Sequence, residues 1–237
     1  MPGILDRVDA YGAHPDQWVR LRGDTSATLC MCFIHGGYWR STYTARLMEP
    51  LMVRMGRDGV AAVNIEYRRE RDAAAMQADV RAALRRAREV FPHARRAVVG
   101  HSAGGHLALI TTDEAELIVA LAAVTDLAGG YAAQSGSGAV AELMGASPAE
   151  RPAAYDAATP RPSTVPTLLV HGADDDRVPV SHSQDFAHRA RTAGAPLDAF
   201  EFAHLDHMVL IDPDGPHWPS VWAWVHQRVD ATRRGSS

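Results

Sequence analysis

Short apolar runs alternate along this chain with longer stretches in which apolar residues recur every three or four positions. The apolar runs predict strands at residues 29–34, 60–67, 96–100, 117–124, 167–171 and 197–202. The stretches between them predict helices at residues 45–57, 73–90, 102–112, 181–193 and 219–229. Strands and helices that alternate in this way form a mainly parallel sheet with helices on both faces, so the pattern predicts an α/β fold.

The alternation breaks between residues 127 and 165, where small residues, glycines and prolines replace the periodic pattern. Such a segment is too long for a simple connection, and long insertions between strands commonly form a lid or a binding loop. We therefore predict a lid over residues 127–165, with one short helix at residues 139–144. The rest of the 237 residues is predicted to form a single domain around it.

Composition narrows the classes of function. Hydrophobic residues make up 46% of the chain and charged residues 22%, and the formal net charge of −4 gives no basic footprint for nucleic acid or an anionic membrane. The sequence shows neither a leader peptide nor an apolar run of membrane-spanning length, so we expect a cytoplasmic protein that acts on a small molecule. A homodimer remains an option that the sequence does not decide.

The two cysteines, Cys30 and Cys32, lie two positions apart on a predicted strand and therefore point to the same face. Buried thiols are the expectation, and no disulfide framework is predicted. The histidines and acidic residues show no spacing typical of a hydrolytic zinc site, so we predict no metal and no cofactor.

The stretch from Gly100 to Gly104 reads Gly-His-Ser-Ala-Gly between a predicted strand and a predicted helix. A serine at such a tight turn adopts a strained backbone, which requires small neighbours and lifts its hydroxyl clear of the sheet. Ser102 is therefore the candidate nucleophile. His101, at the variable position of the turn, has two interpretations: it packs near the site, or it contacts the substrate.

A serine nucleophile needs amide donors for the oxyanion that forms on the substrate. The sequence His-Gly-Gly-Tyr-Trp from His35 to Trp39 follows an early strand, and its glycines allow backbone amides to turn toward a carbonyl. The amide of Ala103 is the expected partner donor. The alternative is that Gly36 and Gly37 form only a turn.

Candidates for the acid and the base follow later in the chain. Asp174, Asp175 and Asp176 come after the strand at residues 167–171, and Asp126 is a rival acid after an earlier strand. His204 and His207 follow the last predicted strand. The order serine, aspartate, histidine is that of an α/β-hydrolase triad, but spacing alone does not choose among these residues.

The chain resembles the α/β-hydrolase superfamily and, within it, the esterase and arylformamidase (kynurenine formamidase-like) branch. The resemblance rests on the His-Gly-Gly-Tyr-Trp loop, the elbow around Ser102, the segment from His171 to Pro179 and the late Asp-His-Met. It implies Asp175 as the acid and His207 as the base. It further implies oxyanion donors at Gly37, Tyr38 and Ala103, with Tyr38 and Trp39 lining the substrate pocket.

These features predict a serine hydrolase that cleaves a small carboxylic ester or an aryl-formamide through an acyl-enzyme. One alternative is a thioesterase, cyclase or lyase that uses the same site on a natural-product intermediate. Another is a non-catalytic binding protein with a hydrolase-like fold.

Overall fold

One eight-stranded sheet organises the protein. The computed structural model describes residues 4–57, 59–69 and 72–234. The strand order across the sheet is β1-β2-β4-β3-β5-β6-β7-β8. The strands are β1 (Ile4–Ala10), β2 (Trp18–Asp24), β3 (Leu29–Ile34), β4 (Ala61–Ile65), β5 (Arg95–His101), β6 (Leu117–Leu121), β7 (Thr167–Gly172) and β8 (Leu197–Phe202).

The strands β4, β3, β5, β6, β7 and β8 are parallel, whereas β1 pairs antiparallel with β2 and β2 pairs antiparallel with β4. The six predicted strands are present, whereas β1 and β2 were not predicted. In β2 the buried positions are limited to Val19 and Leu21, and the side chains of β1 face mostly outward, with Ile4 82% exposed. Because the hairpin is built at the edge of the sheet, its residues carry little of the apolar pattern that marks an inner strand.

Eight α-helices accompany the strands in the described part of the chain. They are α1 (Glu49–Arg57), α2 (Ala73–Val90), α3 (Ala103–Ile110), α4 (Leu127–Ala132), α5 (Ser135–Met144), α6 (Pro152–Ala158), α7 (Ser181–Thr192) and α8 (Trp218–Arg234). Single 3₁₀ turns precede α1 and follow α3, so the predicted helices at 45–57 and 102–112 are each divided near one end.

Two cores cover the two faces of the sheet. On β3, the side chains of Cys30, Cys32 and Ile34 belong to the core that contains α2, α3 and α7. The alternate side chains, from Leu29, Met31 and Phe33, pack in the core formed with α1 and α8. This alternation of a fully buried strand confirms the predicted α/β architecture, with helices on both faces.

The lid contains three helices, α4, α5 and α6, where one short helix had been predicted. Asp126 accepts a hydrogen bond from the amide of Gly129 and so caps α4. The backbone enters the left-handed region at Gln134, between α4 and α5, and again at Gly136, Ser137 and Gly138 within the first part of α5. The regular part of α5 thus covers residues 139–144, the range of the predicted helix, whereas α4 and α6 were not predicted. Helices as short as these depend on packing for their stability.

The described helices include none that is long and apolar enough to cross a membrane.

Replacing Gly104 by alanine tests the close packing of α3 on β3. A Cβ at this position would lie 2.1 Å from the carbonyl oxygen of Ile34, and a backbone atom cannot move aside as a flexible side chain does. We expect Gly104→Ala to lower the free energy of unfolding by about 3 kcal/mol or more, measured by urea denaturation.

Gly194→Ala is the matched control, because that glycine has a φ of +66° but an added Cβ would meet nothing within 4 Å. Only backbone strain of about 1–2 kcal/mol is expected there. Equal losses in the two variants would contradict the packing argument.

Candidate active site

Ser102 lies at the turn between β5 and α3. Its backbone angles, φ 57° and ψ −118°, are those of a strained residue at a sharp strand-to-helix turn. A Cβ on Gly100 would lie 2.2 Å from the carbonyl oxygen of Gly104, so glycine is required where the turn closes on itself. The first turn of α3 thus holds Ser102 at the carboxyl edge of the sheet, where open α/β folds place their sites.

The loop that follows β3 lies beside Ser102 in space. A Cβ on Gly36 would lie 2.9 Å from the Cβ of Ser102, which shows how closely this loop approaches the serine. Gly37, Tyr38 and Trp39 all have positive φ, at 113°, 59° and 56°. The amides of Gly37, Tyr38 and Ala103 donate no hydrogen bond to another group of the described chain. Unpaired amides beside a serine are the donors that an oxyanion requires.

Buried polar contacts hold the loop from His35 to Trp39 in place. The ring of His35 contacts the carbonyl oxygen of Gly36 at 2.7 Å through Nδ1 and the carboxylate of Glu66 at 2.9 Å through Nε2. The hydroxyl of Tyr67 donates to the carbonyl oxygen of His35 at 2.9 Å, and Glu66 also accepts the amide of Ala45. The positive φ angles of the loop are therefore held by β4 and the residues that follow it.

Asp175 and His207 form a buried pair. The Nδ1–H of His207 donates to Oδ2 of Asp175 at 2.7 Å, and the two side chains are 5% and 0% exposed. The other oxygen, Oδ1, accepts the amides of Arg177 and Val178 at 2.9 Å. Burial alone would raise the pKa of Asp175, but hydrogen bonds from His171 and His207 outweigh it and hold this pKa well below its usual range. The carboxylate therefore stays charged and orients the imidazole.

His101 connects Ser102 to this pair. Its Nε2–H donates to the carbonyl oxygen of His207 at 3.0 Å, and the two rings lie 4.4 Å apart between centroids. His101 is buried beside Ser102, and its predicted contact with substrate stays a prediction. No hydrogen bond joins the Ser102 hydroxyl to the ring of His207 in this structure, and that link stays a prediction.

The rival acids and the rival base lie elsewhere. His204 is 91% exposed and faces Asp174 at 3.6 Å. Asp126 caps α4, and Asp176 is 80% exposed. Of the weighed pairs, Asp175 and His207 are the two that the structure brings into hydrogen-bond contact within a buried environment.

A narrow cleft opens above Ser102, with about 390 Å³ of space that protein atoms leave unfilled, part of it open to solvent. Tyr38 and Trp39 form one wall, and α4 and α5 of the lid cover it. The guanidinium of Arg40 donates twice to Glu142 of the lid at 2.8 Å and once to the carbonyl oxygen of Ser137. The aromatic loop and the lid are thus joined directly beside the cleft.

Three residues near the site were not identified from the sequence. Glu66 is an acidic residue at the end of an otherwise apolar run, and that departure could have marked it. Arg177 and His182 line the same cleft as Tyr38 and Trp39. Both residues are far from Ser102 along the chain, so the sequence gives no sign that they share its cleft. The order of the strands in the sheet brings them to it.

The sequence model of the family BD-FAE matches residues 21–190, which is well over half of the chain. The chain belongs to the BD-FAE family. The matched range includes Ser102, the loop from His35 to Trp39, and Asp175, but ends before His207. No curated protein matches the sequence.

Several solved structures share the fold of this BD-FAE member. A truncated carbohydrate esterase from gut microbiota superposes with a TM-score of 0.81 at 17% identity, covering 94% of this chain and 95% of that one. Esterase 2 of the planctomycete Thermogutta terrifontis superposes with a TM-score of 0.72 at 18% identity, covering 94% of this chain and 91% of that one. Inhibited esterase B of Lactobacillus rhamnosis superposes with a TM-score of 0.76 at 16% identity, covering 97% of this chain and 88% of that one. At these identities the likeness confirms the α/β-hydrolase fold.

Buried histidines near the site make the stability of this BD-FAE member sensitive to mild acid. His106 donates from Nε2 to the carbonyl oxygen of Ala158 in the lid, and its Nδ1 is buried without a partner. Burial lowers the pKa of His106 to about 4. The unfolded chain, with a histidine pKa of about 6.5, binds more protons below that pH, so acid favours unfolding.

We expect the free energy of unfolding to fall from about pH 6.5 toward pH 4, with His106 contributing up to about 1.4 kcal/mol per pH unit. His106→Gln should reduce this slope by that amount in urea titrations at a series of pH values. His93→Gln, which removes an exposed histidine, is the control and should leave the slope unchanged. An unaltered slope in His106→Gln would contradict the assignment.

Proposed function

We propose that this protein is a serine hydrolase that cleaves small carboxylic esters through an acyl-enzyme. The observation that carries the proposal is the strained Ser102 beside the unpaired amides of Gly37, Tyr38 and Ala103. Strain of this kind persists only where the surrounding structure enforces it, and a serine held next to free amide donors is the arrangement that acyl transfer uses.

In the proposed reaction His207 takes the proton of the Ser102 hydroxyl as the oxygen attacks the ester carbonyl. The oxyanion is stabilised by the loop amides and the amide of Ala103. Collapse of this intermediate breaks the bond to the alcohol oxygen, which receives the proton from His207. A water molecule, deprotonated by His207, then attacks the acyl-enzyme and releases the acid and Ser102. Asp175 stabilises the charged imidazole throughout.

The shape of the cleft supports a small acyl group and an aromatic partner. The lid closes over the serine, while Tyr38 and Trp39 offer apolar surface to a ring. This aromatic wall favours aryl-formamides as a second substrate class for the same chemistry, since formyl is the smallest acyl group.

Labelling with a fluorophosphonate and turnover of p-nitrophenyl acetate test the proposal. We expect wild-type protein to be labelled, and Ser102→Ala to lose both labelling and activity. His207→Ala and Asp175→Asn should lower kcat by on the order of 10³-fold, because each removes one part of a unit that acts together. N-formylkynurenine, assayed in parallel, tests the aryl-formamide class.

His204→Ala is the matched control, because it removes an exposed histidine three positions from His207. Its activity should remain within about twofold of wild type. Loss of activity in His204→Ala with retention in His207→Ala would reassign the base. Wild-type protein that is neither labelled nor active would overturn the proposed function.

A further inference from the structure

Two polar side chains line the catalytic cleft without a role in the triad. Arg177 lies in the loop between β7 and α7, and His182 lies in the first turn of α7. They line the cleft together with Tyr38, Trp39 and Ser102. No aspartate or glutamate is among the residues that line this cleft. Arg177 is therefore the one charged side chain among the described residues that line the cleft.

The guanidinium of Arg177 has unused donors. Its side chain is 41% exposed, and its hydrogen bond goes to the thioether sulfur of Met208, a weak acceptor, at 3.4 Å. The nearest carboxylate oxygen, from the highly exposed Asp176, lies 3.9 Å from Nε and is beyond hydrogen-bond distance. An arginine fork that is otherwise unoccupied is well suited to bind a carboxylate with two parallel hydrogen bonds.

His182 presents a neutral donor in the same cleft. Its Nδ1 accepts the amides of Thr125 at 3.1 Å and Asp126 at 3.3 Å, which fixes the remaining proton on Nε2. Burial lowers the pKa of His182, so the ring stays neutral at physiological pH. The Nε2–H makes no hydrogen bond within the described chain. This donor is available to a ligand in the cleft.

We propose that Arg177 and His182 form a carboxylate-binding subsite of the cleft, so that the preferred substrates are small esters that carry a free carboxylate. This inference rests on the proposed function and adds the substrate class. The protein carries a formal net charge of −4, so its overall charge does not attract an anion and the attraction would come from Arg177 in the cleft. A neutral ester would form no charge-assisted hydrogen bond with Arg177.

Matched pairs of substrates test the subsite. One pair is para-acetoxybenzoate and para-acetoxybenzamide, which differ in charge on the leaving group; the other is monomethyl succinate and methyl succinamate, which differ on the acyl side. For at least one pair we expect wild-type protein to favour the anion about fivefold to tenfold in kcat/KM. The preference should weaken as ionic strength rises.

Arg177→Gln should bring the ratio for that pair close to one, because kcat/KM for the anion falls more than kcat/KM for the neutral ester. Arg177→Lys should retain part of the preference, because it keeps the charge but loses the planar fork. His182→Gln should reduce the ratio by a smaller factor. Arg81→Gln is the control, since it removes the same charge from α2, where Arg81 pairs with Asp113, and should leave the ratio unchanged.

Equal turnover of anion and neutral ester in both pairs, or a preference that survives Arg177→Gln, would overturn the subsite and leave the proposed hydrolase intact. Binding to Ser102→Ala separates the two claims further. Titration of this variant with para-acetoxybenzoate, followed by NMR, should show saturation that is lost in the Ser102→Ala/Arg177→Gln double variant. That result supports the subsite even if wild-type protein hydrolyses no ester, whereas saturation that persists without Arg177 contradicts it.

Discussion

The approach of two backbone segments, the first turn of α3 and the end of β3, determines where the reactive groups lie. β3 and β5 are neighbouring parallel strands in the middle of the sheet, with Ile34 paired opposite Gly100. This register brings the loop after β3 directly to the turn that carries Ser102. Only glycine at position 104 lets α3 begin against the carbonyl oxygens of Ile34 and His35. The serine and the free amides are therefore fixed by the sheet itself, without a flexible connection between them.

The same kind of contact positions the other half of the site. Gly172, at the end of β7, lies so close to Leu205 that an added Cβ would be 2.1 Å from its carbonyl oxygen. This approach holds together the two loops that carry Asp175 and His207. His101 then connects the halves, since it adjoins Ser102 and donates to the carbonyl oxygen of His207. This hydrogen bond attaches the loop that carries His207 to the residue that directly precedes Ser102.

Sequence patterns predicted the elements that are buried on both faces and missed those whose structure depends on their neighbours. The strands at residues 29–34 and 197–202 have the predicted bounds. The edge hairpin escaped prediction because its outward side chains need not be apolar. The prediction found the helix at residues 139–144 in the lid but missed α4 and α6, which have six and seven residues and therefore depend on packing for their structure. At the site, the glycines around Ser102 pointed to a strained turn, but choosing Asp175 among three adjacent aspartates required resemblance to a family. Arg177 and His182 could be recognised as residues of the cleft only from the structure, in which they line it together with Ser102.

The two buried thiols on β3 can report how often the core of this protein unfolds. Cys30 and Cys32 are fully buried in the central strand, with their sulfurs 3.8 Å apart, and they are the only cysteines in the sequence. Their mutual hydrogen bond and their burial raise the pKa of the Cys30 thiol, which keeps it protonated and unreactive in the folded state. A thiol reagent in solution reaches these sulfurs only after the inner part of the sheet separates from its helices. The rate at which the native protein is alkylated therefore measures how often its centre unfolds, with no engineered label.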